Sequence, residues 1–77
     1  MAKYNGHKNY NHWNVSLWIS NDEGLYRLAL QMIRECKNRD RAAECLLSEL
    51  RSGGYDKTPD GAPYTLSSVR AALSGLS

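Results

Sequence analysis

The chain is expected to be all-α: a small compact bundle of three to four helices with a long loop before the last helix. Three observations predict this. Apolar residues recur at intervals of three and four over most of the chain beyond residue 24. Helix-start residues stand just ahead of those stripes. Both prolines and three of the six glycines fall in one stretch, 52–63. With 77 residues there is room for one domain, and a chain this short buries only about 60 to 65% of the surface it exposes when unfolded. Residues 1–77 are therefore read as a single helical domain, with 1–10 as a flexible tail and 52–63 as a loop.

Asn9 or Asn11 suits the cap of a first short helix, in which Trp13, Leu17 and Trp18 share one face. Trp13, Val15, Leu17 and Ile19 also alternate as in a strand, where stiff β-branched residues fit well. Helix is the expectation, because a lone strand leaves its backbone groups unpaired. Net stability at this size is roughly 3 to 5 kcal/mol. Truncating a buried Trp costs on the order of 3 to 5 kcal/mol, so Trp13 and Trp18 are expected to anchor the core.

Ser20-Asn21-Asp22-Glu23 has the form of a capping box for a second helix. Leu25, Leu28, Ala29, Met32, Ile33 and Cys36 then trace one apolar stripe. Tyr26 and Leu30 widen it, while Arg27 and Arg34 point away and should be exposed. Asn38 is a natural cap for a third helix, whose stripe is Ala42, Ala43, Leu46, Leu47 and Leu50 and whose terminator is Gly53. Arg41, Glu44 and Ser48 fall on its wet side. In the loop, Thr58-Pro59-Asp60-Gly61 is a turn, with Pro presetting one dihedral and Gly admitting a positive one. Thr65 caps a last helix carrying Leu66, Val69, Leu73 and Leu76, which Gly75 ends.

Ten Lys and Arg against eight Asp and Glu leave a formal charge of +2, too balanced to require a polyanionic partner. The same balance excludes an inhibitor that imitates phosphates with a dense acidic surface. Cys36 and Cys45 match neither a zinc knuckle nor a redox dithiol with a two-residue gap. Buried thiols are the first reading, with a disulfide and a metal role behind it. The start MAKYNGHK has no apolar core of a signal peptide, and no run approaches the roughly 20 apolar residues that span a bilayer. A soluble, cytoplasmic protein without membrane contact is expected.

The sequence is sparing with chemistry. His7 and His12 with Cys36 and Cys45 fit no zinc spacing, and no cysteine–histidine pairing suggests an activated nucleophile. The expectation is no enzyme, no catalytic residue, no cofactor and no metal. The last helix resembles a DNA-recognition helix in its polar first turn. Its separation from the third helix is too long for a helix-turn-helix, and one arginine, Arg70, is thin cover for phosphates. Binding candidates are the mixed aromatic and cationic residues Tyr4, His7, Lys8, Tyr10 and His12, together with Arg27 and Arg34.

The blocks Tyr4-Asn5-Gly6-His7-Lys8-Asn9-Tyr10, Trp13-Asn14-Val15, Leu17-Trp18-Ile19 and Asn21-Asp22-Glu23-Gly24-Leu25-Tyr26 resemble a family of small uncharacterised proteins of phages and other mobile elements. Its members look like NGxKNYxTWNVxLWIxNDEGLY, and the Thr58-to-Gly61 turn is similar to the family's carboxy-terminal loop. His12 departs from the pattern, where Thr is usual. The resemblance implies a setting and no residue role. Small accessory proteins of such elements often bind and block a host defence machine, such as a CRISPR effector or a restriction enzyme. The expected function is thus a non-enzymatic, anti-CRISPR-like inhibitor of a host defence protein or ribonucleoprotein complex, acting by steric or conformational blocking. The alternative is a small DNA-binding transcriptional regulator of the same elements, with nucleic acid as partner. A homodimer through the flank bearing Tyr26 and Leu30 is a further expectation.

Overall fold

A computed structural model describes residues 8–76. Four α-helices run through the described residues: α1 Tyr10–Asn21, α2 Glu23–Glu35, α3 Arg39–Ser52 and α4 Leu66–Ser74. The all-α bundle is thus the observed fold. The helices pack in a closed ring, α1 on α2, α2 on α3, α3 on α4 and α4 back on α1. Each amphipathic face is therefore covered by two neighbours.

Each helix start has a local cause. Asn9 caps α1, its side chain accepting from the His12 backbone N–H at 2.9 Å, which settles the choice between Asn9 and Asn11 and between helix and strand. The expected box on Ser20 is corrected: Ser20 lies inside α1, and Asp22 caps α2 by accepting from Leu25 N–H at 3.0 Å. Asp22 also closes α1, its own N–H donating to the Trp18 carbonyl at 2.9 Å. One extended residue thus ends a helix and begins the next. Asn38 caps α3, as its position suggests. Thr65 caps α4 in a reciprocal box with Ser68, whose hydroxyl accepts from the Thr65 N–H at 3.0 Å.

The core follows the expected stripes in α3 fully: Ala42, Ala43, Leu46, Leu47 and Leu50 are all buried. In α2 the centre of the stripe, Ala29 and Met32, is buried, and Leu25, Leu28, Ile33 and Cys36 pack around it half-buried. The face of α1 differs. Val15, Ile19 and Asn14 are the buried residues, whereas Trp13, Leu17 and Trp18 are half-buried. The small flat face of Val15 and Ile19 fits between α2 and α4, and the bulkier indoles lie along its edges. Leu66 is exposed at the first turn of α4, and Val69, Ala72 and Leu73 do the packing.

Polar contacts tie the ends together. The Arg39 guanidinium, at the start of α3, donates to the carbonyls of Leu73 and Leu76 at 3.2 and 3.1 Å. A cation thereby sits on carbonyls at and just past the end of α4, where the helix dipole favours it. Arg70 of α4 in turn reaches Asp40 of α3 at 2.6 Å. The expected burial of both cysteines is corrected, since Cys45 is exposed and Cys36 half-buried. Cys36 stands at the carboxy-terminal cap of α2, and Cys45 lies on α3 outside the buried stripe of Ala42, Ala43, Leu46, Leu47 and Leu50.

Ile19 and Leu73 are fully buried on facing helices. Ile19→Ala or Leu73→Ala is expected to cost about 2 to 5 kcal/mol, most of the stability of a domain this size. Urea unfolding should show a largely unfolded variant at low denaturant.

Candidate functional site

The longest irregular segment, Gly53 to Thr65, is held by hydrogen bonds at both ends and in its middle. After α3, Gly54 takes φ 82, and the N–H groups of Gly54 and Tyr55 donate back to the carbonyls of Arg51 and Leu50 at 3.0 and 2.8 Å. This is a Schellman stop, which normally sets the residue after the left-handed one against the helix's last inward residue. Here those residues are Tyr55 and Leu50. Further on, Gly61 N–H closes the turn onto the Thr58 carbonyl at 2.8 Å with φ 92. Thr58 N–H bonds Ala62, and Tyr64 N–H bonds Asp56, at 2.8 and 2.9 Å.

A polar clamp fastens this folded loop to α1. Asn14, only 1% exposed, donates its amide to Asp60 Oδ2 at 2.9 Å and accepts the Thr58 hydroxyl at 2.5 Å. The Trp18 indole N–H donates to the same Asp60 oxygen at 2.9 Å. The Asn14 and Trp18 hydrogen bonds favour the charged carboxylate and hold Asp60 below its ordinary pKa, against a weaker opposing effect of burial.

Between the loop and the helices opens a groove of about 420 Å³. Trp18, Tyr55 and Tyr64 bring it three aromatic rings, and Leu25, Leu28 and Pro59 add apolar surface. Tyr64 is 5% exposed, whereas Tyr55 stands 59% exposed at the mouth. Burial, then the nearby Asp22 and Tyr55, push the Tyr64 phenol above its ordinary value. Asp22, Glu49 and Lys57 supply the charge. Apolar surface with few charges is the composition of a binding cleft. Among the described residues no group of three or more His, Cys, Asp or Glu side chains is arranged to hold a metal ion.

The binding residues expected from sequence lie elsewhere. Tyr4 and His7 are outside the described residues. Lys8 and Tyr10 are exposed, the Tyr10 ring 5.8 Å from that of Trp13. His12 is half-buried, its Nε2 lying 2.8 Å from Ser67 Oγ of α4, so it joins two helices. Arg27 and Arg34 are exposed on α2, beside a shallow groove with Ile33, and Arg27 pairs with Glu23 one turn earlier. The structure thus sets Tyr10 beside Trp13 on α1, His12 against α4, and the two arginines on α2. Sequence reasoning missed the groove because Tyr55, Pro59 and Tyr64 sit in a segment without periodicity. The available signal was Tyr55 directly after Gly-Gly and Tyr64 directly before a cap.

Asn14→Ala is expected to cost about 1 to 3 kcal/mol, since it leaves the buried Thr58 hydroxyl without its acceptor and removes one of the two hydrogen bonds to Asp60. Asn14→Asp should cost more, by setting a second carboxylate against Asp60. The pH dependence has a definite sign. Asp60 titrates lower when folded, so its stabilisation is complete above the ordinary carboxylate value near pH 4 and is lost as pH falls through the folded pKa. Melting followed by Trp fluorescence should show this acid-side loss, and Asp60→Asn should flatten it.

No curated protein and no solved structure matches the chain. One family model does, over residues 1–73. The chain therefore belongs to the family of unknown function DUF7249.

Proposed function

We propose that the chain is a non-enzymatic protein-binding inhibitor of a host defence system, of the anti-CRISPR kind, which blocks its target sterically or conformationally. The observation that carries this reading is the aromatic groove between the loop and α1, α2 and α3. Aromatic side chains bury large areas at low entropic cost and dominate contact energies between proteins. The mobile-element setting rests on the resemblance of the Tyr4-to-Tyr26 block.

The groove's charges define its occupant. Asp22 and Glu49 outnumber Lys57 in a largely apolar lining, which suits an arginine or lysine carried among apolar residues. Aromatic rings such as Trp18 and Tyr55 attract such cations. Proteins that handle nucleic acid present cationic surfaces of this kind, so occupying one would compete with the nucleic acid.

The DNA-binding regulator has less support. Arg70, the one arginine of α4, is engaged with Asp40 and with Ser74 at 2.6 and 2.7 Å. The connection of helix-turn-helix length is Cys36 to Asn38, before α3, yet the outward residues there, Asp40, Arg41 and Glu44, alternate in sign.

Expression in bacteria carrying an active CRISPR or restriction system should restore plating of a targeted phage. Tyr55→Ala should melt normally and weaken target binding at least about tenfold, roughly 1.4 kcal/mol. Unchanged plating against every such system tested would sink the inhibitor reading.

A further inference from the structure

We propose that Cys36 and Cys45 form a dithiol site that exchanges with low-molecular-weight disulfides and closes to an intramolecular disulfide. Both thiols are free, and the Cys36 S–H donates to Cys45 Sγ at 3.5 Å. They come together from two elements, Cys36 just past the last turn of α2 and Cys45 on α3. Their exposure is unequal, with Cys45 exposed and Cys36 half-buried. A disulfide arriving from solvent meets Cys45 first, with a resolving thiol already beside it.

The local backbone permits closure. Cys36 is extended, at φ −102° and ψ 149°, and opens the short connection Cys36 to Asn38. Bringing the sulfurs from 3.5 Å to a bond of about 2.05 Å moves this connection rather than a helix. The hydrogen bond to Cys45, then burial, hold the Cys36 thiol above its ordinary value, with Glu35 adding to this and Arg41 opposing it. The order of reaction follows exposure, with Cys45 open to solvent and Cys36 half-buried beside it. Among the described residues the pair has no further ligands to complete a zinc site.

The chemistry balances with a small disulfide, RSSR, as oxidant. The Cys45 thiolate attacks one sulfur of RSSR, forming a mixed disulfide and expelling RS⁻. The Cys36 thiol loses its proton and its thiolate attacks Cys45 Sγ, breaking the mixed disulfide and expelling the second RS⁻. Two protein thiols lose two electrons, RSSR becomes two RSH, and the thiol protons leave on those products. The new bond staples α2 to α3.

The test equilibrates the protein with reduced and oxidised glutathione, under native conditions and in guanidinium, and reads intact mass and alkylatable thiols. The native chain should lose two hydrogens with both thiols blocked together. Its effective thiol concentration should be at least about tenfold higher folded than denatured. Cys36→Ser should stop at one glutathione on Cys45, and Cys45→Ser should lose the fast first step. An effective concentration no higher in the folded state would overturn the proposal, as would wild-type protein that accumulates glutathione adducts or disulfide-linked dimers.

Discussion

The place of the long loop on the bundle depends on one buried amide. Asn14 holds Thr58 and Asp60 from α1, and Trp18 adds a second bond to the same carboxylate. The amide uses its donor and acceptor on two residues of one turn, so it specifies register as well as position. A leucine there would bury more apolar area and would leave the turn free to slide. The clamp also explains why Trp18 is half-buried rather than central: its indole N–H needs an acceptor, and Asp60 lies at the edge of the core.

From that clamp follows the groove. The loop would otherwise extend from the end of α3 to the start of α4 across open solvent. Clamped in its middle and stopped by Gly54 at its beginning, it folds so that Tyr55, Pro59 and Tyr64 meet Trp18, Leu25 and Leu28. The charged Asp60 supports this from outside the apolar lining. Fold and groove are thus produced by the same few contacts, which separates the groove's floor, sensitive to folding, from Tyr55 at its mouth.

The functional reading places the work in binding rather than in chemistry. The charged side chains of the helices are largely spent on one another: Arg27 on Glu23, Arg41 on Glu44, Arg70 on Asp40, and Arg39 on the end of α4. Exposed pairs of this kind contribute little stability singly. Beside them, the aromatic groove and the pair of adjacent thiols are the features that bear on function.

The sequence by itself determined the helices, because a helix answers to signals within a few residues. Asn9, Asn38 and Thr65 each cap the helix that follows, and the α3 stripe is buried to the last residue. It misassigned features that depend on neighbours. Ser20 is a good cap in isolation, yet α1 runs through it because Asp22 can serve both helices. Trp13, Leu17 and Trp18 outweigh Val15 and Ile19 in hydrophobic mass, yet the narrow space between α2 and α4 selects the smaller pair. Only the tertiary structure decided which face of α1 is buried, where the loop is pinned, and that Cys36 and Cys45 meet. Each of these depends on contacts between residues distant in sequence or on different helices, and no spacing along the chain encodes them.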